Sequence, residues 1–546
     1  MEELLVLGLL ALFGIAASHA ISPRVGIAAP LLLVALGVLA STVPAMPEIE
    51  VDPEVILAGV LPPLLYAAAV QIPATDFRRE LRTISGFSVV LVLISTGLLG
   101  WFFHGVLDLS WPWALALGAL VSPTDPVATA IIKRLGVNPR VTTVLEGESM
   151  LNDAVALVLL RAAVAAAAAS VTFWSVSGVF VGALTVAVII GWIVGRLNLW
   201  VRSHVRDTTV NTVITFTVPF LASIPAEALG ASGLVAAVVA GLVTGNGAAR
   251  VLSPQHRSAD LQTWHALELV LEGLVYLVLG LELIGVIEDV EANHQGVGRA
   301  VWIALAALAL SLLIRALYVV PVLGAMRRSA ERAERAHHRI AADKAQLADL
   351  STPAPLTPLE RLSLRLRPGR TEQELHGRIH ARLVRAEADA TYQVSSRLGW
   401  RDGTLIVWSG MRGVVTIAAA QTLPADAPER SLLILIAFVV AVVSLGVQGG
   451  TAATLVRFLK PDPGQTPQQR AAELAELQQL LGVAAQDVRD RLQRSGEELD
   501  EEGESLAVIQ AQREVLLEAR SVGLFASGTL HSAMRELDAE QIRLEL

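Results

Sequence analysis

The chain has 546 residues, of which 53% are hydrophobic and 17% charged, with a mean hydropathy of +0.56 and a formal net charge of −9. A soluble chain carries roughly 25% charged residues, so a soluble globular protein is excluded. With no cysteine, so are a disulfide framework, a thiol nucleophile and a cysteine metal site.

Apolar stretches recur at about the 20-residue length needed to cross a ~30 Å hydrocarbon core. Hydropathy and helix breakers predict an all-α polytopic membrane protein with about thirteen spans: 3–20, 25–44, 54–72, 84–104, 113–133, 141–169, 174–197, 209–225, 230–246, 262–287, 299–325, 404–422 and 431–457. The first lacks a basic leader and a small-residue cleavage site, so it reads as a retained helix.

Basic residues mark alternate loops: Arg24, then Arg78, Arg79 and Arg82, then Lys133, Arg134 and Arg140, then Arg196, Arg202 and Arg206, then Arg250 and Arg257. The loops between them, near 45–53, 105–112, 170–173, 287–298 and 424–429, hold no Lys or Arg. By the positive-inside rule this places the N-terminus outside and the C-terminus in the cytoplasm. The organisation that follows is a membrane domain in two parts, 1–325 and 404–458, with a cytoplasmic insertion at 326–403 and a cytoplasmic helical tail at 466–546. The insertion is rich in Ala, Arg, Glu and His, with Pro353, Pro355, Pro358 and Pro368 dividing two helix-like stretches. It reads as solvated helices, with a regulatory or anionic-lipid contact as the sharper alternative. The tail spaces Leu474, Leu477, Leu480 and Leu481, and later Val515, Leu516 and Leu517, as a helical domain does. It has no glycine-rich dinucleotide fingerprint.

Ionisable residues inside apolar spans are costly and mark function by default. In the fifth span, Ser122-Pro123-Thr124-Asp125-Pro126 places two prolines three residues apart, which breaks the helix. Such a break is tolerated only against protein or a polar cavity. The freed carbonyls, the Thr124 hydroxyl and the Asp125 carboxylate are oxygen ligands suited to a hard cation. The bland reading is a proline kink with Asp125 paired to an arginine.

In the sixth span, Glu146-Gly147-Glu148-Ser149-Met150-Leu151-Asn152-Asp153 stacks Glu148 over Asn152 and Ser149 over Asp153 on adjacent helix faces. Desolvation favours the neutral form of a mid-membrane carboxylate and nearby cations favour the charged one. Asp153 could therefore hold either a proton or a cation, and competition for one carboxylate is the simplest chemistry of exchange. The alternative is a packed polar network with no transport role.

Arg315 lies within the apolar run Val301–Val320, and Arg412 lies in Gly410-Met411-Arg412-Gly413, a second interrupted helix. Buried guanidinium groups need carboxylate partners, and Glu148 and Asp125 are the expected ones. Arg161 has no obvious partner, and Glu227, Glu268, Glu272 and Glu282 read as interhelical hydrogen-bond partners or pore-mouth residues.

Ser-Pro-Thr-Asp-Pro-Val-Ala at 122–128, Glu-Gly-Glu-Ser-Met-Leu-Asn-Asp-Ala at 146–154 and Gly-Met-Arg-Gly-Val-Val at 410–415 together resemble the sodium/proton exchanger family, and more closely its bacterial NhaP-type cation/proton antiporters. Segments 61–66, 226–233 and 274–283 support the likeness, which covers about 1–325 and 404–458. The resemblance implies inverted repeats with two crossed, partly unwound helices, a homodimer, and alternating access by movement of a core domain. It implies that Asp153 carries proton and cation, that Thr124, Asp125 and Ser149 help to hold Na+, and that Glu148, Asn152, Arg315 and Arg412 form the supporting network. The Asn152-Asp153 pair, in place of two aspartates, implies electroneutral one-for-one exchange. Ala67 stands where relatives often carry an acidic residue, and the 326–403 insertion is longer than usual.

The function expected is antiport of Na+ (or Li+) against H+ across the cytoplasmic membrane, serving pH and sodium homeostasis, with no cofactor and no nucleic-acid partner. K+/H+ exchange is the nearest alternative, and a non-transporting membrane sensor the second. A channel would need a filter-like repeat of carbonyls or acidic rings, which is absent. A membrane enzyme would need a nucleophile–base or metal constellation, but His104 sits at an outer edge and His265 near an inner edge with no ligand partner at helical spacing.

Overall fold

The computed structural model describes residues 2–25, 27–43, 54–125, 127–168, 173–293, 296–349, 385–394, 396–464, 467–495 and 500–545. Every regular element among them is helical. The first are α1 (Glu2–Val25), α2 (Ala29–Ser41), α3 (Leu61–Gln71, entered through a π-helical turn at Val55–Val60) and α4 (Ala74–Ser85). A second π-helical turn, Gly86–Leu91, joins α4 to α5 (Val92–Leu107). Then come α6 (Trp111–Val121), α7 (Val127–Arg134), α8 (Pro139–Ala168), α9 (Phe173–Ser203), α10 (Thr208–Ala228), α11 (Gly233–Val251), α12 (Pro254–Ala292) and α13 (Val297–Asp349). The later elements are α14 (Trp400–Trp408), α15 (Val414–Gln421), α16 (Arg430–Ser444), α17 (Gly450–Leu459), α18 (Pro467–Ser495), α19 (Glu501–Val522) and α20 (Ser527–Leu544).

Among the described residues, nine helical stretches are long and apolar enough to cross a membrane, and three shorter apolar helices accompany them. Large apolar side chains face outward along several of these stretches, such as Leu9 and Phe13 of α1 and Trp192 of α9, as a lipid-facing surface requires. Between such helices the drive to associate is close packing, because lipid is as apolar as leucine. Gly37 of α2 and Gly280 of α12 meet this way. A Cβ on Gly37 would stand 2.8 Å from the Gly280 Cα, and one on Gly280 3.0 Å from the Gly37 Cα.

The chain divides into two compact units, one formed by Met1–Val320 with Trp400–Pro461, the other by Pro321–Gly399 with Asp462–Leu546. In the first, Ile15, Leu33, Leu279, Met411, Ile417 and Phe438 form one buried apolar cluster, which draws α1, α2, α12, α15 and α16 around the interruption at 409–413. In the second, α18, α19 and α20 close over Leu477, Ile509, Leu516, Phe525, Leu530 and Leu537. Leu477 and Leu516 are the expected core positions, whereas Leu474 and Leu480 face outward at 43% and 37% exposure. The centre of the 326–403 insertion, including its four prolines, lies outside the described residues.

Both interruptions fall where sequence placed them. α6 stops at Val121 and α7 begins at Val127; α14 stops at Trp408 and α15 begins at Val414. Pro123 cannot donate to a carbonyl one turn back, which ends α6. In the second break, glycines at 410 and 413 stand where side chains from elsewhere must enter. A Cβ on Gly413 would overlap the Asp125 carboxylate, and one on Gly410 would come within 2.5 Å of Arg315 Nε.

Candidate functional site

The two breaks are bonded to each other: the Asp125 amide donates to the Met411 carbonyl at 2.7 Å. Four half-helices therefore end around one point. Asp125 lies at the start of two of them. Its Oδ1 accepts from the Val127 amide at 2.9 Å, and its Oδ2 from the Val414 amide at 3.3 Å and from the Tyr276 hydroxyl at 3.1 Å. Val127 and Val414 are the first residues of α7 and α15, so the carboxylate meets two positive helix ends.

Arg412 serves the opposite ends. Its Nε donates to the Val121 carbonyl at 2.9 Å, and an Nη donates to the Gly410 carbonyl, both at C-terminal ends of half-helices. The expected carboxylate partner is replaced by carbonyls. Unwinding freed these acceptors, and a fully buried guanidinium (2% exposed) satisfies them. Asp125 accordingly needs no arginine. The Arg412 amide donates to Ser444 Oγ at 2.9 Å, tying the break to α16.

Glu148 and Arg315 form the buried pair that the sequence suggested. Arg315 Nη2 donates to Glu148 Oε2 at 2.8 Å, the other Nη reaches Oε1, and Nε donates to the Ile406 carbonyl at 2.9 Å. Glu148 Oε1 also accepts from Thr124 Oγ1 at 3.3 Å, and Thr124 Oγ1 accepts from Asn152 Nδ2 at 2.7 Å. The first break is thus fastened to α8 through hydroxyl and amide, leaving the buried Asn152 Oδ1 with no partner among the described residues. Ser149 Oγ donates to the Glu146 carbonyl of its own helix at 3.2 Å.

Asp153 is different. It is 5% exposed, no described residue donates a hydrogen bond to it, and the charge that acts on it most directly is the Asp125 carboxylate. The eight residues expected to form the ion site and its supporting network all belong to this buried region, and among the described residues Asp153 is the one of the eight left unbonded.

Some features were missed. Tyr276 lies inside the 274–283 segment, and its spacing of four from Glu272 and eight from Glu268 is the sequence signal that points to it. Arg161 pairs with Glu227 at 3.3 Å. Glu268 accepts from Gln71 at 3.1 Å and Glu282 from Gln421 at 2.7 Å, as interhelical partners. Arg202 was read as a loop charge but is 1% exposed, at the end of α9.

The model of a family described as sodium/hydrogen exchanger, transmembrane, matches residues 8–341 and 379–458. An uncharacterized Na+/H+ exchanger of Mycobacterium tuberculosis is 27% identical over 514 residues, covering 91% of this chain and 82% of that one. A sodium, potassium, lithium and rubidium/H+ antiporter of Bacillus subtilis is 31% identical over 269 residues, 47% of this chain and 40% of that one. Among solved structures, the sodium proton antiporter MjNhaP1 of Methanocaldococcus jannaschii is similar with a TM-score of 0.59 and 18% identity, over 84% of this chain and 99% of that one. The fold is therefore NhaP-like. The chain belongs to the sodium/hydrogen exchanger family, as a multi-pass membrane antiporter of monovalent cations and protons and not an enzyme.

Proposed function

We propose that the chain exchanges Na+ (or Li+) for H+ across the cytoplasmic membrane, one for one, with Asp153 as the shared carrier. The observation that carries this reading is the bare Asp153 carboxylate, 5% exposed and without a donor among the described residues. A buried charge without a partner is among the costliest arrangements in a protein. A proton or a cation removes that cost, and the two exclude each other on one carboxylate. Asp125, the freed backbone of the first break, Thr124 and Ser149 are the further oxygens from which a Na+ site would be assembled.

Charge counting supports electroneutrality. Asn152 has no titratable proton, Glu148 is held by Arg315, and Asp125 is held by two helix-start amides and the Tyr276 hydroxyl. One charge then moves each way on Asp153. About thirteen spans in inverted repeats, a homodimer, an outside N-terminus, a cytoplasmic C-terminus and alternating access by a moving core complete the proposal. The cellular role would be pH and sodium homeostasis.

K+ as substrate is the second reading, favoured by the Bacillus subtilis relative whose name includes potassium and rubidium. Sealed vesicles containing the purified protein test both. Na+ or Li+ should collapse an imposed pH gradient, and K+ should do so only weakly. A stronger response to K+ would replace the first reading by the second, and no response to any alkali cation would refute both.

A further inference from the structure

Far from the crossing, the outward face of α9 carries a polar stripe for which the described residues supply no partner. α9 has 31 residues, about 46 Å of helix, against a hydrocarbon core of ~30 Å. One end must therefore stand in the headgroup layer, and Arg196, Arg202 and Arg206 mark which end it is. Trp192, Arg196, Trp200 and His204 follow one another there at a spacing of four, so they share one face. All four are exposed, Trp192 at 53% and Trp200 at 64%, and Ile193 and Leu197 flank them as exposed apolar side chains.

The helix cannot turn this face inward. Its other side is packed on α11, where a Cβ on Gly195 would stand 2.8 Å from the Val243 Cβ. Asn198 Nδ2 donates to Thr244 Oγ1 of α11 at 3.0 Å, and the buried Arg202 donates to Asp260 of α12 at 2.6 Å. The outer end of the stripe is fixed as well. The rings of Trp200 and His204 lie 5.1 Å apart, and His204 Nδ1 donates to the Trp200 carbonyl at 2.7 Å.

Arg196 is left outside these bonds. Its Cζ lies 5.7 Å from the centroid of the Trp192 ring, a cation–π contact, and no described carboxylate pairs with it. From Ala154 to Arg206 the sequence holds no Asp or Glu, and Asp207 is engaged in capping α10 through the Val210 amide at 2.8 Å. The negative end of α9 does not account for Arg196 either. It lies two turns before Ser203, and that field fades within the last turn. The indole N–H groups of Trp192 and Trp200 likewise donate to no described residue. Guanidinium and indole are donors without an acceptor atom. Three such donors on one face, one of them cationic, match an anion rich in acceptor oxygens.

We propose that Trp192, Arg196 and Trp200 bind the phosphate of an anionic phospholipid in the leaflet that receives this end of α9. The guanidinium holds the phosphate through charge-assisted hydrogen bonds. The two indoles donate from either side, and their rings cover the glycerol and the upper acyl chains. A zwitterionic lipid fits less well, because its own ammonium competes with Arg196 for the phosphate. Bound there, the anionic lipid sets the depth at which α9, and α11 packed on it, sit in the bilayer.

The test is tryptophan fluorescence of the full-length protein in vesicles of equal parts phosphatidylglycerol and phosphatidylcholine, with bromine on the acyl chains of one lipid or of the other. The signal of this face is the difference between the parent and the double variant Trp192→Phe/Trp200→Phe. Brominated phosphatidylglycerol should quench that signal more than brominated phosphatidylcholine, at about fivefold local enrichment, the contribution of one basic residue near the headgroups. Arg196→Gln should make the two lipids quench equally. Arg196 is exposed and unpaired by any described carboxylate, so its loss leaves the fold intact. Equal quenching by both lipids in the parent, or an excess that survives Arg196→Gln, would overturn the proposal. So would a signal that neither lipid quenches, the result expected if a second copy of the chain covers this face.

Discussion

Asp125 and Arg412 stand at opposite poles of one helix crossing: the carboxylate accepts from the first amides of α7 and α15, and the guanidinium donates to carbonyls at the ends of α6 and α14. Each side chain offsets the partial charge that two broken helices expose. The two therefore hold the unwound backbone in place without pairing with each other.

Gly413→Ala tests how closely the breaks must approach. The added methyl overlaps the Asp125 carboxylate, and relief of such overpacking costs about 1–3 kcal/mol. Apparent cation affinity should fall by about tenfold or more, measured as the Na+ concentration giving half-maximal collapse of a pH gradient. Affinity equal to the parent would show that Asp125 is not fixed by this contact.

Glu148→Gln should destabilise the protein more than Asp153→Asn does. Breaking the buried Glu148–Arg315 pair leaves an uncompensated guanidinium at a cost of about 3–5 kcal/mol, whereas Asp153 has no bonded partner to strand. Thermal unfolding in detergent, followed by a fluorescent probe or by light scattering, reads the difference. Equal melting temperatures would contradict the assignment.

Tyr276→Phe removes the one side-chain donor seen on Asp125 among the described residues. A hydrogen bond to a charged group contributes about 1.5–3 kcal/mol, so exchange at limiting Na+ should drop about tenfold or more, with the protein still folded. A variant indistinguishable from the parent in vesicle assays would remove Tyr276 from the site.

Electroneutral exchange predicts indifference to voltage. A potential contributes ~2.3 kcal/mol per elementary charge per 100 mV, so a two-for-one cycle would respond strongly. Potentials of either sign, set with an ion that the protein does not carry, should leave Na+-driven proton flux unchanged. Flux that rises with one polarity and falls with the other would mean that a second carboxylate titrates, with Asp125 the first to examine.

Much of this was legible in the sequence, for identifiable reasons. The breaks follow from Pro123 and Pro126 in one helix and from Gly410 and Gly413 in the other, and the Glu148–Arg315 pair follows from charge matching inside apolar runs. Charge matching failed for Arg412 because the acceptors it found are backbone carbonyls, visible only once the crossing places Val121 beside it. The Arg202 cluster was hidden for a related reason. Positive residues near span ends read as solvated loop charges, and only the fold brings Asn211, Asp260 and His256 around Arg202.

The central claim is that one carboxylate carries both ions, and Asp153→Asn in sealed vesicles tests it most directly. The variant keeps the shape of the side chain, and the account predicts a folded protein in which Na+ or Li+ moves no protons at any pH. If vesicles of that variant still collapse a pH gradient on Na+ addition, Asp153 is not the shared carrier and the account is wrong.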